Sequence, residues 1–487
     1  MGKIEKNNIV ASLLFLLAAF LRLYRLPEFV TFLGDQGRDA IVIRDILTFK
    51  HFPAIGAASS VGGVYLGPFY YYFISPFLLM SRFNPVGLAY GVAFLSIIGL
   101  IAAYLITRKS TNISLAIIFL ILATFSFTII DLSRFSWNPN LLPIFSFLTL
   151  FFYKQLLDKR KIIWAVLFGS FFSFSIQLHY LALFLAFPIL IYFIYFLFIE
   201  VKELKKFDYK YLTILILTSI LSFVLFTSPL IIFDFRHDFL NARNLISFFS
   251  NQNPATHTPI IQRLIDTFSA LITHTFRISL PLPVIVSVYA IILCSVYVSF
   301  KRRNTFVFLH ILNMLCFLIV FSMLESARHP HYFGSIYFSF FIAIAYVITL
   351  KRNIVFIGLS YIILGIYLFF NFRHYYFLNQ PGSNQIERAQ KYAASIIPQI
   401  TVTPYQLTSI PPTESDGHIR YFLELGGKEP LPDNSIDQPS ELFVLCYEKN
   451  CQVLGNAQWQ IAAFKNAKIN DRWKVENVTI YKLIHEK

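Results

Sequence analysis

Charged residues make up only 14% of this chain against a hydrophobic share of 56%, whereas a soluble domain carries about 25% charged residues. That deficit excludes an ordinary soluble globular protein and implies a polytopic membrane protein. Cysteine is equally sparse, and four in 487 residues are too few for a disulfide scaffold. Cys294 and Cys316 fall in apolar runs, where inert packing is expected. Cys446 and Cys451 fall in the polar tail and can bridge if that tail lies outside the cell. There is no CxxC pair, P-loop or HExxH, so ATP-driven pumping and zinc-protease chemistry have no motif behind them. Acids are outnumbered, 26 against 41 Lys and Arg, for a net charge of +15. The cations sit in short clusters between apolar runs, as topology determinants do, and form no nucleic-acid-binding face. The run after Lys3 and Lys6 is long and lacks a small-residue cleavage site, so it is expected to remain as a transmembrane helix.

A helix crossing the hydrocarbon needs roughly 20 apolar residues. That measure predicts about eleven spans, near 8–26, 86–107, 112–131, 138–157, 162–178, 182–200, 211–230, 282–300, 305–323, 333–350 and 353–371. One alternating set of joints carries Lys3/Lys6, Arg108/Lys109, Lys154/Lys159/Arg160/Lys161, Lys202/Lys205/Lys206/Lys210, Lys301/Arg302/Arg303 and Lys351/Arg352. By the positive-inside rule these joints and the N-terminus are cytoplasmic. The other joints and the tail then face outward.

The run YLGPFYYYFISPFLLM, Tyr65 to Met80, is too short and too broken by Pro68 and Pro76 to cross. Counting it as a span would also put every later basic cluster outside. It reads instead as an interfacial helix of a long first outer loop, 27–85, with its tyrosines at headgroup level. Outer loop four, 231–281, holds FDFRHDFLNARN, read as another amphipathic surface segment. Residues 1–371 thus form an all-α membrane domain. Residues 372–487 are polar and Pro/Gly-punctuated, with a helix near 384–397 and strand-like runs at 441–447 and 475–483, and read as a small outer mixed α/β domain. No solenoid repeat is apparent.

This topology gathers the unusual polar groups on one side. LGDQGRDAIVIRD in the first loop places Asp35, Arg38 and Asp39 on one helical face at i, i+3 and i+4. DLSRFSWNPN gives Asp131, Arg134, Asn138 and Asn140; SIQLHYL gives Gln177, His179 and Tyr180. Loop four adds Arg236, His237 and Asp238, and ESARHPHYF adds Arg328, His329, His331 and Tyr332. Each alone has a dull explanation: a solvated Asp–Arg pair is common and weak, and a single His at a helix end is usually an interface residue. The two histidines of RHPHYF are too weak a pattern to assign a metal. Five joints ending in Arg, His, Tyr or Asn, against inner joints with Lys/Arg anchors, favour a site. Acids facing cations at the outer membrane edge suit transfer from a lipid-phosphate sugar. A carboxylate accepts the proton of the attacking hydroxyl, and Arg or His neutralises the departing phosphate. No nucleotide or cofactor is required.

With these motifs in view the chain resembles the C-type (GT-C) glycosyltransferases. The likeness is to the family 39 and aminoarabinose-transferase-like group, which includes protein O-mannosyltransferases. GDQGRDA, YLGPFYYY, SRFSWNPN, QLHY and RHPHYF carry the resemblance, in that order. It implies inverting transfer of a sugar from a polyprenyl-phosphate donor to an acceptor (protein, lipid or glycan) at the outer face of a cell membrane. A bacterial membrane is expected, because prokaryotic members are the nearest. The family's first-loop Asp lands on Asp35, as base or acceptor-orienting group. Its adjacent acid is Gln36 here, so a second acid would be Asp39. The family's Lys before the Pro-aromatic segment is absent, Leu66 and Gly67 standing there. Phosphate binding then falls to Arg134, His179, Arg328 or His331, with Arg38, Tyr65, Tyr70, Asn138, Tyr180 and Tyr332 as further substrate contacts. The rivals are a transporter or lipid-carrier flippase, which would place charges in mid-membrane around broken helices, and a receptor-like protein whose tail binds a partner.

Overall fold

The computed structural model describes residues 3–59, 63–203, 208–250, 258–350, 354–433 and 435–486. Lys205, Lys206, Lys351 and Arg352, expected in basic joints, lie outside these residues. The fold is a bundle of apolar helices followed by a small sheet.

Among the described residues eight helices are long and apolar enough to cross a membrane by length and composition. They coincide with eight of the expected spans, from the first at Lys6–Leu23 to the last at Ile354–Phe372. The other three expected spans fall on shorter apolar helices, Ile113–Phe125, Ile162–Leu178 and Tyr337–Leu350. The first of these stops early because Ser126 leaves helical geometry and its hydroxyl caps a new short helix, Phe127–Leu132. Short polar residues open several helices in the same way: Asn112, Asp208 and Asn304 each accept a main-chain N–H of the first turn. Leu217, Leu221 and Leu225 are exposed along the helix Tyr209–Arg236, where lipid would cover them.

Four expectations need correction. The helix Tyr209–Arg236 runs on beyond residue 230, so FDFRHDFLNARN is not one surface segment but a helix end, a turn and the start of Leu240–Ser250. The rest of that loop contains a helix, Ile260–Phe276, whose buried Thr267, Leu271, Ile272 and Thr275 fall on one helical face. The first-loop tyrosines do not all face outward: in the helix Phe69–Met80, Tyr70 and Tyr71 are buried in protein, whereas Tyr72 is exposed. A polar link joins two of the helices: His310 is buried inside Thr305–Ser322. Its Nδ1 meets Ser339 Oγ at 3.0 Å, and Asn313 Nδ2 donates to the same hydroxyl at 2.9 Å, joining this helix to Tyr337–Leu350. Of the cysteines in apolar runs, Cys316 is buried but Cys294 is exposed on the helix surface rather than packed.

The C-terminal segment opens with a short helix, Tyr376–Asn379, followed by the helix Gln385–Ile396, and builds a four-stranded sheet. Its strands are β1 (Tyr405–Ile410), β2 (Glu441–Cys446), β3 (Ala467–Val475) and β4 (Val478–His485), in the order β1-β2-β4-β3. Val475 closes β3 rather than opening the strand expected at 475–483. β1 and β2 are parallel, so a crossover must join them, and the helix Gly417–Leu425 lies between them in sequence. β2 alternates strictly: Phe443 and Leu445 pack with Ile419 and Leu423, whereas Leu442 and Val444 pack with Ile461 and Phe464 on the other face. Cys446 and Cys451 are bridged.

Candidate active site

The acidic motif sits on the helix Gly34–Leu47. Gln36, standing where a second acid was sought, closes the first turn by accepting from the Leu33 N–H at 3.1 Å. Arg38 reaches back to Asp35 at 3.0 Å and grips Asp39 through Nη2 at 2.8 Å and Nε at 3.1 Å. Asp35 is exposed and Arg38 partly exposed, but Asp39 is fully buried. Asp39 Oδ1 also accepts from the Tyr71 hydroxyl at 2.9 Å, while Oδ2 has no partner. Burial pushes the Asp39 carboxyl above its usual range despite the guanidinium beside it.

Asp35 and Arg38 line a cavity of about 270 Å³. One wall is a short paired segment: Gly56 N–H donates to Leu66 O at 2.7 Å, and Ser59 N–H to Val64 O at 2.7 Å, bringing Ala57, Ala58 and Leu66 to the cavity. The turn after Phe127–Leu132 contributes Trp137 and Asn138. Asn138 is 1% exposed, and neither its amide nitrogen nor its amide oxygen has a partner. His179 and Tyr180, at the end of Ile162–Leu178, and His331 and Tyr332 complete the polar lining. Leu181, Leu183, Phe184, Phe321 and Leu324 supply an apolar side.

The histidines form a cluster. The rings of His179 and His331 are 5.9 Å apart, and His331 lies 5.7 Å from His329 and 4.6 Å from Trp137. Burial lowers His179 to about 4, and burial with the neighbouring imidazoles lowers His331 to about 3. Both rings are therefore neutral near pH 7. His179 Nδ1 accepts from the Leu181 N–H at 3.2 Å, which puts that ring's proton on Nε2. A neutral imidazole of this kind donates one hydrogen bond to an incoming oxyanion. Among the described residues, no group of three or more His, Cys, Asp or Glu could hold a metal ion.

Several expected site residues do not line this cavity. Arg134 is buried and donates to the carbonyls of Leu21, Arg22 and Tyr24 at 2.9–3.2 Å, capping the first span, with Phe377 stacked on its guanidinium. Arg328 is spent on its own joint and the neighbouring helix Ile260–Phe276: it donates to Leu324 O at 2.9 Å and Ser326 O in the first and to Thr267 Oγ1 at 2.8 Å in the second. Tyr70 pairs with Ser136 at 2.7 Å. The Tyr65 carbonyl accepts from the Tyr180 hydroxyl and from Asn241 Nδ2, so this residue shapes the wall through its main chain. Asp39 lies behind Arg38 rather than at the surface of the cavity. Sequence reasoning missed Trp137 and Tyr71, although both sit inside motifs it had singled out.

Helices, polar cavity and C-terminal sheet together define a class. Over nearly its whole length the chain has the fold of ArnT from Cupriavidus metallidurans. The match to the apo structure has a TM-score of 0.61 and 11% identity, covering 99% of this chain and 98% of that one. The structure of the same protein bound to undecaprenyl phosphate matches with a TM-score of 0.59 and 11% identity, over 98% and 97%. The apo oligosaccharyltransferase of Archaeoglobus fulgidus matches with a TM-score of 0.57 and 14% identity, over 87% of this chain and 64% of that one. Residues 66–231 match the family model of dolichyl-phosphate-mannose-protein mannosyltransferase. No curated protein matches the chain by sequence. The chain thus has an ArnT-like fold, with eight helices long and apolar enough to cross a membrane among the described residues, and residues 66–231 carry the likeness to the mannosyltransferase family.

Proposed function

We propose that this protein transfers a sugar from a polyprenyl-phosphate donor to an acceptor hydroxyl at the outer face of a bacterial cell membrane. The observation that carries the reading is the cavity itself. It sets a carboxylate and a guanidinium, two neutral imidazoles and an unpartnered buried amide against an apolar wall. An amphipathic donor matches both halves: sugar and phosphate meet the polar groups, and the first prenyl units lie along Leu183, Phe184 and Phe321. Desolvating an amide without a partner costs about 1–3 kcal/mol, so Asn138 is a ready contact for a sugar hydroxyl or a phosphate oxygen. Arg38 gives the phosphate its fixed positive charge; His179 and His331 add hydrogen bonds.

In the reaction the acceptor oxygen attacks the anomeric carbon from the face opposite the phosphate. Asp35 takes the hydroxyl proton as the new C–O bond forms, the bond from the anomeric carbon to phosphate oxygen breaks, and polyprenyl phosphate leaves with inversion at carbon. Asp39 acts behind the site by holding Arg38. Residues 1–371 form the catalytic membrane unit and 372–487 an extracytoplasmic unit, with the N-terminus cytoplasmic. The bridged Cys446 and Cys451 support an oxidising compartment for the latter, and the undecaprenyl phosphate bound by ArnT supports the donor class. The test is release of polyprenyl phosphate from a panel of polyprenyl-phosphate sugars by the purified protein in liposomes, with mass analysis of the glycosylated product. One donor should turn over; a panel left intact in the presence of cell-envelope acceptors would overturn the reading.

A further inference from the structure

The helix that carries Asp35 is seated on the crossover helix Gly417–Leu425 of the C-terminal sheet, and the contact is built at two levels. At one level main chains touch. A Cβ on Gly37 would collide with the backbone of Gly417 and His418, and one on Gly417 would come within 2.5 Å of Gly34 O. Backbone atoms cannot swing aside as a side chain can, so glycine is needed on both helices for this approach. At the other level Arg44 Nη2 meets Glu424 Oε2 at 2.5 Å, with both side chains only 10% exposed.

Arg44 lies seven residues after Gly37, and Glu424 seven after Gly417. Seven residues are two helical turns, about 10.5 Å, so the two helices run parallel and in register between a glycine contact and an ion pair. Two fixed points on one helix set both its slide and its rotation. Asp35 and Arg38 sit beside the glycine contact, on the face turned to the cavity. The seam is extended by the Tyr421 hydroxyl donating to Phe83 O at 2.7 Å and by Gln385 Oε1 accepting from the Phe32 N–H at 2.7 Å.

We propose that the crossover helix Gly417–Leu425 is a positioning element of the active site: Gly417 against Gly37, and Glu424 through Arg44, hold Asp35 and Arg38 in place over the cavity. Glu424 is then a positioning residue, although it lies 389 positions after Asp35. The proposal rests on the reading of Asp35 given above. It assigns the C-terminal unit a part in catalysis that does not require it to touch substrate.

The full-length protein carrying Glu424→Gln, Arg44→Gln or both tests this by amide hydrogen exchange and donor turnover. Cutting the ion pair should speed exchange across 34–47 about tenfold and leave β2 unchanged. It should lower kcat roughly ten- to a hundredfold, as expected for a misplaced reacting group, with little change in KM for the donor. The double variant should be no worse than the poorer single one, because both remove the same contact. Gly37→Ala serves as an independent second lesion if a charge variant fails to accumulate. Unchanged exchange across 34–47, or faster exchange with wild-type kcat, would overturn the proposal. If Asp35→Asn turns over at the wild-type rate the reading of Asp35 fails, while the exchange data still judge the seam by themselves.

Discussion

Asp39 separates stability from activity in opposite directions. Its folded carboxyl titrates above the ordinary value of 3.8 because burial outweighs Arg38. A carboxyl raised in this way favours the folded state while protonated and costs stability once ionised, so its contribution declines as pH rises past that ordinary value. At pH 7 a neutral amide removes the cost. In Asp39→Asn the amide oxygen would still accept from Tyr71, and the NH2 would stand where Oδ2 already lacks a partner. That variant is therefore expected within about 1 kcal/mol of wild type, or above it. Asp39→Ala instead strands the Tyr71 hydroxyl, on a residue 3% exposed, at about 1–3 kcal/mol. In both variants Arg38 loses the carboxylate charge that holds it, so transfer should fall about ten- to a hundredfold. Denaturation in detergent at pH 7 and donor turnover read the two effects. An Asp39→Asn protein less stable than Asp39→Ala, or one with full activity, would refute the reasoning.

Three further outcomes follow from particular contacts. Arg134→Gln should cost about 2–4 kcal/mol, because three buried carbonyls lose a charged donor, yet leave undecaprenyl phosphate binding unchanged; melting and a binding titration check the pair of effects. His331 is held to about 3 against an ordinary 6.5 by burial and its neighbouring histidines. The stability it contributes is present above 6.5 and is lost as pH falls toward 3, so His331→Asn should flatten the fall of the melting midpoint between pH 6.5 and 4. Trp137 lines the cavity and Trp164 does not, so adding undecaprenyl phosphate should change a fluorescence signal that Trp137→Phe abolishes and Trp164→Phe keeps.

Eight of the expected spans were legible as long apolar helices because hydrocarbon imposes a simple demand, a run of apolar residues long enough to cross. The convergence of GDQGRDA, QLHY and RHPHYF was legible for a related reason: topology alone sends alternate joints to one side. Which cation faces the cavity was not legible. An arginine at a helix end can cap carbonyls or face a cavity, and the residue type is the same in both cases; Arg134 caps, Arg38 faces the cavity. Asp35 and Asp39 share a helical face, and tertiary cover, to which Tyr71 contributes, buries one and not the other. The helix Ile260–Phe276 carried a readable period, with Thr267, Leu271, Ile272 and Thr275 at i, i+4, i+5 and i+8 on one face, but its length fell short of a span and it passed for loop. The seam between Gly34–Leu47 and Gly417–Leu425 joins segments nearly 400 residues apart, and no local pattern announces it.

The central claim is that Asp35 takes the acceptor proton. The most direct measurement compares Asp35→Asn with wild type in liposomes, following release of polyprenyl phosphate together with binding of undecaprenyl phosphate. The account predicts that release falls by at least about a thousandfold, near the upper part of the range for loss of a general base, while the lipid phosphate still binds. Release within a few fold of wild type would contradict it.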